Sequence, residues 1–301
     1  MMCRHLLRSS AIGLLFVLST RAAHAQAKPD WTGVDYVLGR AGAEQPGNVH
    51  KFSFPRSDLT VTIGGTQLRP ALALGSWIAF KRTADGQAMA MGDLVLTEAE
   101  VPGVLARLQK GGVEQTAMHN HLVGESPRVV YMHIMGKGKA EQIAQTIHDA
   151  LAGTKTPMTP PRIGTPLRLD LDTTAFAAAL GVTGKGNAGV YQVSVARPEA
   201  IREGGEEIPP SMGVATAINI QPTTSGRAVA TGDFVLLPAE VNPVIRALQA
   251  NGIAVTALHS HLMMDQPHVL FMHFWGDDDA MKLARGLRAA LDATAMAPKH
   301  Q

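Results

Sequence analysis

The chain has 301 residues, 46% hydrophobic, 17% charged and 5% aromatic, with a formal net charge of +2. This balance excludes a disordered chain and leaves Ala, Val, Leu and Met to fill the core. The length suits one large domain or two of ordinary size.

The N-terminus reads as a secretory signal peptide over residues 1–25. A basic "MMCRHLLR" precedes "AIGLLFVLS", an apolar run too short to span a bilayer as a mature helix. Small residues at Ala23–Ala25 then place a cleavage point before Gln26. Cleavage removes Arg4, Arg8 and Arg21, leaving 24 basic against 25 acidic residues, a net −1. That charge gives no reason to expect a nucleic-acid partner. Cleavage also removes Cys3, the chain's one cysteine, so disulfides, thiol nucleophiles and Cys metal ligands are excluded from the mature form. Cys3 precedes the apolar core, so it cannot be a lipoprotein's acylated cysteine. The expectation is a soluble exported protein, periplasmic or extracellular, with no membrane contact after cleavage.

The mature chain is one unit used twice. Residues 85–151 align with 225–291 without a gap, and 28 of the 67 pairs are identical. Upstream the match is weaker: "GNVHKF" (47–52) faces "GNAGVY" (186–191), and Gly64–Gly65 faces Gly204–Gly205. The expected layout is a first unit over 26–151, a Pro-rich linker over 152–171, a second unit over 172–291 and a tail over 292–301.

Each unit switches period along its length. "AMAMGDLVL" (88–96) is strand-like. A helix follows, with Val101, Val104, Leu105 and Leu108 at i, i+3, i+4 and i+7, and Gly111–Gly112 at its end. Thr97 with Glu100, three residues on, has the form of a capping box, and Glu100 and Glu240 suit a first helical turn. Two strands come next, "VEQTAMHNHL" and "RVVYMHIM", around a turn "VGESP". The closing helix carries Ala140, Ile143, Ala144, Ile147 and Leu151 on one stripe. The predicted class is α+β: two tandem homologous units, each with a β-α-β-β-α core and upstream strands. In each, helices pack on one face of a mostly antiparallel sheet.

The hairpin carries the chemistry. Side chains alternate along a strand, so His119 and His121 share a face. A turn centred on residue 125 sets 121 opposite 129 and 119 opposite 131, and His133 then joins the same face. A bulge in the turn would send His133 to the other side. Three imidazoles so placed can converge on one ion. The second copy repeats them as His259, His261 and His273. His-x-His with a third His on the neighbouring strand suits a divalent transition metal; Zn, Cu and Ni are not distinguished. Either each half holds an ion or the halves face each other over a shared cleft. The turn residues Glu125 and Asp265 are candidates for a further ligand, a positioning partner or a general base.

Other readings stay open. The histidines could act on a substrate directly, or serve as structural core residues, and duplication copies either kind faithfully. A three-His site with an open position would support a hydrolase or lyase. A non-catalytic module binding a small molecule would use the same face. Asp93 and Asp233, each after a glycine, fit a bulge at a strand start or a place near the histidines. Met118, Met132 and Met272 point to the opposite face by alternation, toward the core. His268 has the wrong parity for a ligand, while His50, His148 and His300 have no His counterpart and suit structural or solvated roles. G-x-S-x-G, Walker A, post-strand G-x-G-x-x-G and H-E-x-x-H motifs are absent from the sequence.

In "GDLVL…AEV…TAMHNHL…P…YMH" and its second copy the chain resembles the LppY/LpqO-type family of secreted bacterial proteins, a domain of unknown function. The resemblance spans nearly the whole mature chain. It implies export and the two-copy layout, and no reaction; the chain differs from lipoprotein relatives in lacking a lipobox cysteine.

Overall fold

The computed structural model describes residues 29–159, 167–224 and 226–296. The predicted signal peptide, residues 160–166 of the predicted linker, and His300 lie outside the described residues. The first unit runs α1 (Thr32–Leu38), β1 (Ala43–Gln45), β2 (Val49–Pro55), β3 (Thr62–Ile63), β4 (Thr66–Gln67), α2 (Pro70–Ala73), β5 (Gly75–Arg82), β6 (Ala88–Thr97), α3 (Val101–Lys110), β7 (Glu114–His119), β8 (Val129–Gly138) and α4 (Ala140–Ala152). The second runs α5 (Thr173–Leu180), β9 (Lys185–Asn187), β10 (Val190–Ala196), β11 (Ile201–Glu203), β12 (Glu206–Ile208), β13 (Ala215–Pro222), β14 (Arg227–Leu236), α6 (Val241–Ala250), β15 (Ala254–His259), β16 (Asp265–Gln266), β17 (Leu270–Asp279) and α7 (Ala280–Asp292). No helix among the described residues is long and apolar enough to cross a membrane.

Each unit forms a six-stranded sheet, in the orders β1-β2-β5-β6-β8-β7 and β9-β10-β13-β14-β17-β15. Every neighbouring pair is antiparallel. The α+β expectation holds, with two tandem units of the predicted type. The predicted stripes are where the helices meet the sheet: Ala140, Ile143, Ala144, Ile147 and Leu151 of α4 are all buried, as are Val104 and Leu108 of α3.

The strand β6 explains the architecture. Its even-numbered residues Ala88, Ala90, Leu94 and Leu96 pack under the helices with Phe52, Phe80 and Met132. Its odd-numbered Met89, Met91 and Val95 are equally buried, against residues of the other unit. A strand covered on both faces loses the polar alternation of a half-solvated one, and "AMAMGDLVL" is apolar for that reason. The layers therefore run helices, sheet, sheet, helices, and hydrophobic burial between the sheets joins the units.

Reciprocal arms reinforce the joint. The segment around β3, β4 and α2 reaches the second unit: Gln221 Oε1 accepts the Arg69 N–H at 2.8 Å, and Gln192 Nε2 donates to Ala71 O at 2.9 Å. The segment around β11 and β12 reaches back, where Lys51 Nζ donates to Ser211 O at 2.9 Å. Gly64–Gly65 and Gly204–Gly205 turn the two arms with φ of 56°, 84°, 56° and 87°. These left-handed values favour glycine, which explains why the pair recurs.

Strand partners revise part of the alignment between units. Lys51 opposes Ala79 and Gln192 opposes Asn219, so Lys51 matches Gln192 and Val49 matches Val190. The β9–β10 turn is one residue shorter than the β1–β2 turn, which displaces the "GNVHKF"/"GNAGVY" match. The Thr97–Glu100 pair forms only half of the predicted capping box, since Glu100 N–H bonds the Thr97 backbone carbonyl and Glu100 is itself the N-cap of α3. Its carboxylate accepts the Thr97 N–H at 2.8 Å and the Lys155 N–H at 2.9 Å, and takes both Nη atoms of fully buried Arg56 at 2.9 and 3.2 Å. Burial alone would raise the Glu100 pKa, but these bonds hold it below its ordinary value. Arg197 and Glu240 repeat the pairing in the second unit.

Candidate metal centre

One row of residues crosses the inner face of each sheet. In the first unit Trp77 opposes Asp93, Asp93 opposes His133, and His133 opposes Ala117. The second unit repeats the row as Ala217, Asp233, His273 and Ala257. The hairpin register is the expected one, with His119 opposite Tyr131. A bulge is present, but between Gln115 and Ala117, on the far side of the histidines from the turn, so the parity of His119 and His133 survives.

Two details depart from expectation. His121 does not face residue 129 on a strand, because β7 ends at His119. The chain bends there, with Asn120 Nδ2 donating to Val129 O at 2.6 Å, and His121 instead stacks on Tyr131 at 3.3 Å between centroids. His261 stacks in the same way on Phe271 at 3.6 Å. Met118 is also not in the core. It is 53% exposed, because β7 is an edge strand, whereas Met132 and Met272 are fully buried as alternation predicts.

All six imidazoles meet where the sheets face each other. His119 stacks on His259 at 3.6 Å, His121 on His273 at 3.8 Å, and His133 on His261 at 3.6 Å. Exchanging equivalent residues turns the second contact into the third, so a local two-fold relates the units through the cluster. His119 Nε2 lies 3.2 Å from His273 Nε2, and His259 Nε2 lies 2.7 Å from His261 Nε2. Nitrogens of His119, His121 and His133 lie within 4.8 Å of one another, and so do those of His119, His259, His261 and His273.

Asp93 and Asp233 form the floor of the cluster. Asp93 lies 3.8 Å from His121 Nε2 and 3.9 Å from His133 Nε2; Asp233 lies 4.0 Å from both His261 Nε2 and His273 Nδ1. Both aspartates sit mid-strand in unbroken pairing, so the strand-start bulge is not what they mark. Their preceding glycines serve close strand approach. A Cβ at Gly232 would come within 1.9 Å of Ala217 O, and one at Gly92 within 2.8 Å of Trp77 O.

Burial sets the electrostatics. It lowers the pKa of His119 to about 3, with His259 adding to the effect, and that of His259 to about 4. Burial and then the neighbouring imidazoles push His121, His133, His261 and His273 well below the ordinary value. Burial raises Asp93 to about 7 against the pull of Lys51, while burial and then Asp93 hold Asp233 well above its usual range. Lys51 itself falls to about 8 through burial, its ammonium 4.0 Å above the Trp77 ring. Neutral imidazoles offer lone pairs, the form in which histidine binds metal. Asp93 Oδ1, Asp233 Oδ1, His121 Nε2 and His133 Nε2 are buried with no hydrogen-bond partner among the described residues. Such atoms are costly unless something satisfies them, and a cation among them would do so.

The remaining candidates lie elsewhere. The Glu125 carboxylate is buried, and burial raises its pKa against the opposing backbone N–H groups of Glu125 and Val129. Asp265 accepts the Val269 N–H at 2.6 Å and pairs with exposed His268 at 3.1 Å. Neither belongs to the groups that close on one point. His50 is structural, bridging Asp35 at 2.7 Å and Glu44 at 2.6 Å, while His148 sits on the surface beside Asp149. An open groove of about 390 Å³, lined by Glu98, Val101, Met118, His119, Asn120 and Val130, brings solvent to the cluster at His119.

Fold and site together define a duplicated α+β protein with an imidazole-lined joint between its copies. The chain belongs to the family described as Domain of Unknown Function (DUF1259), whose model matches residues 32–153 and 174–293, one copy per unit. No curated protein matches it. A crystal structure of a trimeric bacterial microcompartment shell protein, PduB, is similar at 14% identity over 84% of this chain and 90% of that one. Its TM-score of 0.23 is too low to establish a shared fold.

Proposed function

We infer that this is an exported protein that binds a divalent transition metal at the joint between its two units. The observation that carries the reading is the convergence of six imidazoles, drawn equally from both copies, beside the carboxyl groups of Asp93 and Asp233. Nitrogen donors of this kind suit zinc, copper or nickel. His273 donates from Nδ1 to Gly232 O at 3.0 Å, which leaves Nε2 as the lone-pair atom facing the cluster. The other rings stack on one another and, for His121 and His261, on Tyr131 and Phe271. Export is supported by the N-terminal pattern over residues 1–25, and the LppY/LpqO affiliation by the motif residues around both hairpins.

A second reading, a metal-dependent hydrolase or lyase, is supported by the groove at His119, through which a small molecule could reach a bound ion. In that reading the histidines would hold an ion that supplies Lewis acidity, and Asp93, beside His121 and His133, would be better placed than Glu125 or Asp265 to act as base.

Metal analysis of the full chain, produced without a His tag and incubated with zinc, copper or nickel, tests the proposal. Bound metal is expected in the wild type and is lost when His119 and His259 are both replaced by Ala. A wild type that retains no metal after desalting would refute it.

A further inference from the structure

Six imidazoles and two carboxylates are more donors than one transition-metal ion uses. The two sets of nitrogens that close within 4.8 Å share one member, His119. A neutral imidazole gives its single lone pair to one ion. If His119 serves its own unit's trio of His119, His121 and His133, the other set is left with His259, His261 and His273. That remainder is the second unit's trio, complete.

The geometry points to a binuclear centre: two adjacent divalent transition-metal ions, each held by the three histidines of one unit. This deepens the metal-binding reading and rests on it. The trios abut, with His119 Nε2 and His273 Nε2 separated by 3.2 Å, so the ions are near neighbours, in the manner of two-metal sites. Each trio has its own carboxylate at a similar distance: Asp93 beside His121 and His133, and Asp233 beside His261 and His273. Two adjacent dications repel each other, and the carboxylates of buried Asp93 and half-buried Asp233 would offset part of that charge. Three nitrogens per ion leave a position open on each for a shared small ligand.

The halves are not equivalent. Tyr131 stacks on His121 where Phe271 stacks on His261, and the half-buried Lys51 has the neutral Gln192 as its counterpart. A groove also opens at His119, so solvent reaches the first unit's trio there.

Native mass spectrometry of the full chain, untagged, stripped with a chelator and reloaded with Zn(II), gives the count. Two zinc ions per chain are expected. One ion per chain overturns the pair and leaves metal binding standing; none overturns both. His121→Ala and His261→Ala, checked for folding by circular dichroism, should each retain one ion. A folded variant that keeps two, or loses both, overturns the assignment of one trio per ion. Should both variants fail to fold, a Co(II) titration of the wild type decides, since its d–d absorption should saturate at two equivalents and saturation at one refutes the pair.

Discussion

Take the metal-free protein from pH 7 to pH 5. Burial, with the neighbouring rings adding to it, places all six cluster histidines below their ordinary value when folded, as low as about 3 for His119 and about 4 for His259. Above the unfolded value of roughly 6.5, neither state carries the protons and the histidines leave stability unchanged. Below it the unfolded chain takes up protons that the folded chain refuses, so stability falls until the folded values are reached. Asp93 and Asp233 act in the opposite sense. Their folded values are raised, Asp93 to about 7, so over this window the folded state holds protons that the unfolded chain lacks.

His119 and His259, set against Asp93, leave the unfolded chain about one proton ahead, worth about 1.4 kcal/mol per pH unit, and the four deeper histidines add to it in the same direction. Stability should therefore drop by about 1 kcal/mol or more between pH 6 and pH 5, a measurable part of the roughly 5–15 kcal/mol that holds a domain folded. Urea unfolding of chelator-treated protein, followed by tryptophan fluorescence, reads this as a midpoint falling by about 0.3 M or more over that unit of pH, for a slope of about 3 kcal/mol/M. A midpoint that stays flat from pH 7 to pH 5 would refute the claim that the cluster is held neutral by the fold.

Two further perturbations probe the scaffold. Arg56→Met leaves the Glu100 carboxylate facing a buried gap, and should cost about 3–5 kcal/mol in urea unfolding at pH 7. A loss below about 1 kcal/mol would show the pair to be dispensable, as an exposed ion pair is. Gly232→Ala drives a Cβ into the Ala217 carbonyl, whereas Gly92→Ala meets Trp77 O at 2.8 Å. The first should lower the melting temperature more, with overpacking costing about 1–3 kcal/mol or beyond; an equal or reversed order would contradict the strand spacing.

Much of this molecule is local and therefore legible in its sequence. The periods of 3.6 and 2 locate α3, α4 and the hairpin strands because each side chain's direction depends only on its own stretch of backbone. The same parity puts His119 and His133 on one face and Met132 and Met272 on the other. Parity fails where the chain stops being a strand: His121 lies past the end of β7, and Met118 sits on a sheet edge with nothing over it. Asp93 stands out beside its glycine, but its place under His121 and His133 requires the pairing of β6 with β8, a contact between residues 40 apart.

The sequence by itself determined two copies of one α+β unit, each carrying a histidine trio in its hairpin. Only the tertiary structure decided that the trios face each other. "AMAMGDLVL" shows that both faces of β6 are dry, because no polar alternation survives in it, but the same letters would serve under any apolar cover. That the cover is the other copy, seated so that His119 meets His259 and each Asp underlies its own trio, depends on reciprocal arms and on contacts some 140 residues apart. Hydrophobic burial has no direction of its own, so no local pattern could specify that geometry.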